Sequence, residues 1–175
     1  MRYAIAVDVG VKNLGLCVFD FSTSSFCCWL NVNLVPSGRY QPCKNVEYVE
    51  NFIERFKHFF DDAAYVVVER QMRCNMRIIE ALLEQRFKDR CTIISPRSVK
   101  AHYALGMRNY TQNKAAAVTF ASQFVSANPD AFDVGVAAVF LGSKKRDDFA
   151  DALMLMTYFL DTYSVCNDVV KFLVE

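Results

Sequence analysis

Apolar and polar positions along the chain follow two rhythms, one of period two and one near the helical period. Residues 3–9 and 14–20 are short apolar runs separated by Gly10 and Lys12-Asn13, which predicts two antiparallel strands joined by a turn. Residues 25–35 predict a third strand, stopped by Pro36-Ser37-Gly38 and a loop over 36–44. Beyond it Val49, Phe52, Ile53, Phe56, Phe59 and Phe60 recur at helical spacing, predicting a helix capped by Asn45 and running to residue 60. Residues 64–69 (Ala-Tyr-Val-Val-Val-Glu) predict a buried strand parallel to the first. A helix follows over 75–88, on Met76, Ile79, Leu82, Leu83 and Phe87. Cys91–Ile94 predicts a fifth strand, with Pro96 in the first turn of the next helix. Gly106 to Tyr110 breaks the pattern, Thr111 is the expected cap of a helix to Val125, and 147–163 predicts a strong final helix. Residues 128–146 carry no clear period.

Three strands, helix, strand, helix, strand, then helices make a mixed five-stranded sheet flanked by helices, an α/β domain. With no linker, repeat or low-complexity stretch, residues 1–175 are expected to form one unit. The apolar tail (Val169, Val170, Phe172, Leu173, Val174) is expected to dock on the body or on a partner.

One position breaks the apolar pattern of the first strand: Asp8. A lone buried carboxylate is costly and calls for a cation, a paired charge or several hydrogen bonds. Glu69 closes the predicted parallel strand, so both acids emerge at one end of the sheet, where sites in α/β sheets gather. The run Asp147-Asp148-Phe149-Ala150-Asp151 opens the last helix, and Asp148 and Asp151 share a face at i, i+3. Asp147 is i, i+4 to Asp151, so spacing leaves it a rival to Asp148. Carboxylates in this arrangement suit hard divalent ions such as Mg²⁺ or Mn²⁺. Two such ions can activate a water and stabilise the leaving oxygen in phosphodiester cleavage.

Charge refines this picture. The formal net charge is only +1, so the chain is not built to coat nucleic acid indiscriminately. Its cations are clustered at Arg70, Arg73 and Arg77, at Arg97, Lys100, His102, Arg108 and Lys114, and at Lys144-Lys145-Arg146. That pattern suits an enzyme with acids at a site and bases around it. The hydrophobic content of 53% and the 15 Phe predict a dense core, an oligomer interface or base-stacking positions. Seven Cys without a Cys-x-x-Cys pair, and two His, give no zinc pattern and predict reduced, mostly buried thiols in an intracellular protein. No apolar run is long enough to predict a signal peptide or a membrane span.

Asp8-Val-Gly-Val-Lys-Asn-Leu-Gly, Val-Val-Val-Glu69-Arg-Gln, Ser-Pro96-Arg-Ser-Val-Lys and Asp148-x-x-Asp151-Ala-Leu together resemble the RuvC-like Holliday junction resolvases, nearest to their poxvirus-type branch. The resemblance covers residues 3–163 and implies an RNase H-like fold, a homodimer, and Mg²⁺-dependent paired nicking of four-way DNA junctions in viral recombination and concatemer processing. It implies a metal-binding set of Asp8, Glu69, Asp148 and Asp151, with two Mg²⁺ per site and Mn²⁺ as a substitute. It also implies an active-site lysine, for which Lys114 is the first candidate and Lys100 the competitor. Arg70, Arg73, Lys100, Lys144, Lys145 and Arg146 are the candidate DNA contacts. Tyr103 and Tyr110 are candidates to stack on exposed bases, whereas Phe149 is expected in the core. A viral resolvase is expected in the host cytoplasm.

The acidic strand and glycine turn also resemble sugar-kinase and actin-like ATPases, with Asp133-Val-Gly135 as a second such element. Those proteins enclose ATP between two lobes, for which 175 residues are too few, and Val11 stands where a hydroxyl residue is needed. A same-fold nuclease acting on RNA, hybrid or flap substrates remains open, as does a non-catalytic junction-binding protein.

Overall fold

The computed structural model describes residues 1–35, 37–105 and 109–163, without the side chain of Tyr110. The apolar tail, Gly106 and Arg108 therefore lie outside the described residues. Strands β1 (Tyr3–Asp8), β2 (Leu14–Asp20), β3 (Ser25–Val32), β4 (Ala63–Glu69) and β5 (Cys91–Ile94) form one sheet in the order β3-β2-β1-β4-β5. β1 pairs antiparallel with β2 and parallel with β4, and β5 extends the parallel half. The predicted hairpin and parallel partner are both present.

Parallel neighbours need crossovers. Here α1 (Asn45–Arg55) and α2 (Lys57–Phe60) link β3 to β4, and α3 (Cys74–Phe87) links β4 to β5. The period-two pattern then sorts the sheet's side chains into two cores. Ile5, Val7, Leu16, Val18, Val66 and Val68 pack with Val49, Phe52, Phe60, Ile79 and Leu83 of α1–α3. Ala4, Ala6, Cys17, Phe19, Trp29 and Val67 pack against α4 (Pro96–His102), α5 (Tyr110–Ala127), α6 (Val136–Gly142) and α7 (Asp147–Tyr163). The small Ala4 and Ala6 let α7 lie close to the central strand.

The structure changes several details. The helix expected over 45–60 breaks at Phe56 (φ −112°, ψ 23°), which brings Phe56 and Phe60 against Phe52 at ring distances of 5.4 and 5.5 Å. Asn45 does not cap α1, because it is buried and accepts a hydrogen bond from the Tyr40 hydroxyl at 2.8 Å. Lys44, at the end of a 3-10 turn, takes the cap position. Asn109, not Thr111, caps α5, its side chain accepting from the Thr111 N–H at 2.9 Å. Residues 128–146 fold into a 3-10 turn at Pro129–Ala131 and into α6, which Gly135 starts in a left-handed conformation (φ +84°). The helix expected over 147–163 forms as α7. Phe149 is core as expected, 4% exposed, and its carbonyl accepts from Trp29 Nε1 at 2.8 Å. Among the described residues no helix is long and apolar enough to cross a membrane, and the described cysteines are free thiols.

Candidate active site

One row across the end of the sheet organises the site. Asn31 of β3 pairs in register with Gly15 of β2, and Gly15 with Asp8 of β1. Val7 pairs with Val68, so Asp8 and Glu69 stand side by side one residue further on. By strand alternation all of these positions face α7 rather than α1 and α3. The burial of Val7 and Val68 in the opposite core fixes that register, since a one-residue slip would reverse every side chain.

α7 rests directly on this row, and Gly15 is its seat. A Cβ at Gly15 would lie 2.3 Å from the Asp148 carbonyl oxygen and 2.9 Å from Ala152 Cβ. The close approach needs a glycine on the strand and a small residue on the helix. It brings the first turns of α7 over the carboxylates of β1 and β4.

The acids perturb one another. Burial first, then the charges of Glu69 and Asp151, hold the Asp8 carboxyl well above the usual carboxylate range. Asp8 in turn donates a hydrogen bond to Glu69. Burial and the charge of Asp151 push Glu69 up to about 7, against the hydrogen bonds from Asp8 and Gln71 and the charge of Lys100. Asp151 is raised by burial and by Asp148 and Asp147, against the pull of Lys100 and Lys114. The charge of Asp148 raises the Asp8 carboxyl as well.

The α7 acids divide between two lysines. Lys114 on α5 pairs with Asp147; burial alone would raise that carboxyl, but the lysine's hydrogen bond and charge bring it below its usual value. Lys145 pairs with Asp148 at 2.7 Å, and Asn31 Nδ2 donates to the same Asp148 oxygen at 3.2 Å. Both candidate lysines flank the acids: Lys100 acts on Glu69 and Asp151, and Lys114 on Asp151 and Asp147. Among the described residues no three His, Cys, Asp or Glu side chains are close enough to hold an ion as they stand. Like charges repel, and Asp148 is held by Lys145 and Asn31. The donor chemistry nevertheless fits a hard divalent cation. Every candidate ligand is a carboxylate, and Asp8, Glu69 and Asp151 are raised first by burial and then by the charge of neighbouring acids, both of which a bound cation would offset. Lys145 and Asn31 both engage Asp148 through Oδ2.

The candidate DNA contacts are not equivalent. Arg70 and Arg73 are exposed on the turn from β4 to α3, and Lys144 is exposed before α7. Arg146 is tied down instead: its guanidinium donates to the Ser143 carbonyl at 3.1 Å and to that of Leu141, and packs over the Phe140 ring. A groove of about 900 Å³ runs between the start of α5 and the α6–α7 turn, lined by Lys114, Lys144, Lys145, Arg146 and Asp147. Tyr103 is not available for base stacking. Its hydroxyl donates within the body to Asp161 (3.0 Å) and lies in hydrogen-bond contact with the Thr157 hydroxyl (2.9 Å), and its ring packs on Phe120. Residues that sequence reasoning missed are Asn31, Asn13 and Gln71. With its amide turned to satisfy its neighbours, Asn13 accepts from Lys145 at 2.7 Å. Asn13 and Gln71 lie within the quoted motifs, but the partner of Asn13 is remote in sequence and that of the Gln71 N–H lies within α3. Asn31 left one signal, a polar residue in an apolar strand.

Residues 3–162 match the family model described as Poxvirus A22 protein. The chain belongs to this family. The poxvirus-type branch expected from the motifs is thereby borne out. No curated protein matches the chain in sequence. Among solved structures, this member of the family is similar to the fowlpox virus Holliday junction resolvase, at 17% identity and a TM-score of 0.65 over 92% of this chain and 99% of that one. It is also similar to fowlpox virus resolvase in complex with its substrate Holliday junction DNA, at 12% identity and a TM-score of 0.66 over 92% and 98%. A third likeness is to the yeast mitochondrial Holliday junction resolvase, at 17% identity and a TM-score of 0.61 over 87% of this chain and 76% of that one. At these identities the likeness establishes the fold, and the expected RNase H-like sheet is borne out.

Proposed function

We propose that this protein is a structure-selective endonuclease that resolves four-way DNA junctions by paired, metal-dependent phosphodiester cleavage. The observation that carries the reading is the cross-sheet row ending in Asp8 and Glu69, with the Asp148 and Asp151 helix seated on it, in a member of the poxvirus family. Family membership and the resolvase fold support the junction as substrate.

Asp8, Glu69, Asp148 and Asp151 would hold two Mg²⁺, or Mn²⁺ in their place. Bound ions would supply Lewis-acid activation of a water and stabilisation of the departing 3′ oxygen, leaving a 5′ phosphate. Asp8 and Glu69 would have to be ionised to hold an ion, because only ionised carboxylates bind metal. Lys114 and Lys100 offset charge on the scissile phosphate from the two sides of the acidic row. Lys144 and Lys145, which line the groove beside these acids, would meet DNA backbone there. Arg70 and Arg73 add contacts beside Glu69, and Arg146 acts by shaping the α6–α7 turn.

Residues 1–175 act as one nuclease unit in this reading, and two copies place paired sites for symmetric cuts. The α1 and α3 face is the proposed dimer surface, with Val46 and Ile78 exposed and a groove of about 560 Å³ lined by Val49, Ile53 and Leu82. Residence in the host cytoplasm accords with the viral family. The test is cleavage of a mobile four-way junction, matched duplex and RNA–DNA hybrid with Mg²⁺. Preferential paired nicking of the junction is expected, and equal cutting of all three refutes the proposal.

A further inference from the structure

Glu80 is a buried acid that the proposed chemistry does not use. It sits on α3 at 6% exposure and forms no ion pair among the described residues. Its carboxylate is spent on one backbone group: Glu80 Oε2 accepts from the Gln71 N–H at 2.6 Å. The geometry explains the need. Arg70 N–H still donates to the Ile94 carbonyl at 2.8 Å, continuing the contact between β4 and β5. Gln71 is the first residue past that contact, at 9% exposure, and its N–H has no strand left to pair with. A buried, unpaired N–H is costly, and a charged acceptor is the strongest available partner.

Gln71 is therefore clamped, and its side chain turns back. Nε2 donates to the Glu69 carbonyl at 3.2 Å and reaches Glu69 Oε2 at 3.4 Å. A glutamate side chain has three free torsions, and here the Gln71 amide reaches its carboxylate. We infer that Gln71 and Glu80 are positioning residues: Glu80 fixes the backbone of Gln71, and the Gln71 amide fixes the Glu69 carboxylate for the divalent ion. The inference rests on the metal-dependent reading of the site. It assigns the pair a role in ion affinity and in the cleavage step, and none in holding DNA. Partners of this kind typically tune metal affinity or activity by about 10–100-fold.

The test uses the full chain and Mn²⁺ as the probe. Mn²⁺ binding to the protein alone is measured by calorimetry, together with junction binding in EDTA, single-turnover cleavage and thermal melting. Gln71→Ala is expected to weaken Mn²⁺ binding and slow cleavage by about 10-fold or more, with junction affinity and melting temperature close to wild type. Glu80→Gln keeps an acceptor oxygen for the Gln71 N–H and is expected to stay near wild type, whereas Glu80→Leu leaves that N–H unpaired and is expected to match Gln71→Ala in Mn²⁺ binding and cleavage while melting lower. Wild-type Mn²⁺ affinity in a folded Gln71→Ala protein overturns the inference, even if junction cleavage is intact. Weakened Mn²⁺ affinity in Gln71→Ala supports it, even if the wild-type protein leaves junctions uncut and the proposed function falls.

Discussion

Gly15→Ala tests the seat of α7 on the sheet. The added Cβ would sit 2.3 Å from the backbone oxygen of Asp148 and 2.9 Å from Ala152 Cβ. An ordinary carbon–oxygen contact is about 3.3 Å, so the first turn of α7 must retreat by about 1 Å. A backbone oxygen cannot rotate away as a side chain can, so the whole turn moves and takes Asp148 with it. Overpacking of this kind costs about 1–3 kcal/mol, which for a chain of this size lowers the melting temperature by about 2–12 °C. The larger effect falls on chemistry, because a 1 Å misplacement of reacting groups can cost about 100-fold in rate. Thermal melting and single-turnover cleavage of a four-way junction measure the two effects separately. Ala152→Gly in the same chain should not restore cleavage, since the tighter clash is with the Asp148 carbonyl. Gly142→Ala is the control, because a Cβ there has nothing within 4 Å. Wild-type melting and cleavage in Gly15→Ala would show that α7 is not seated as described.

Asp8→Asn should reduce junction cleavage by about 100-fold or more while leaving junction binding intact. Its stability should change in the opposite direction: the folded-state value of Asp8 lies above its ordinary one, so the ionised form opposes folding. Without metal at pH 8, Asp8→Asn should melt higher than wild type, and the gap should narrow as pH falls and close only below about pH 4, where the unfolded acid is protonated too; no gap at pH 8 would refute the burial argument. Asp148→Asn should impair cleavage far more than Asp147→Asn, and the reverse ranking in the same assay would assign the helix face to Asp147. Cleavage should fall as pH drops through about 7, where Glu69 takes up its proton, and a tenfold rise in Mg²⁺ should move that midpoint to lower pH; a midpoint independent of Mg²⁺ would argue against these acids as ligands. At the far end of β2, Arg2 donates to Asp20 and holds its carboxyl below the usual range. That stabilisation is full above about pH 4 and fades as pH falls toward the lowered folded value. The stability gap between wild type and Asp20→Asn in urea should therefore shrink from pH 5 to pH 3.

The five strands, the parallel pairing of β4 with β1, the final helix and the conspicuous acids are legible in the chain's pattern. Each of these is a local signal. Period two or period 3.6 sets the element, and a carboxylate inside an apolar run stands out because its burial is costly. Which partner each polar residue takes depends on the folded geometry. Asn45 has the composition of a helix cap, but the Tyr40 hydroxyl claims its oxygen. Thr111 reads as the cap of α5, but Asn109 takes that position and accepts from the Thr111 N–H. Asp147 and Asp148 have near-equal spacing to Asp151, and the lysines separate them, Lys114 taking Asp147 and Lys145 taking Asp148. Gly15 reads as an ordinary turn-flanking glycine until α7 is laid on it. The pattern of the chain records which residues need burial or a cation, whereas the partner that satisfies each need is set by sheet register and helix placement.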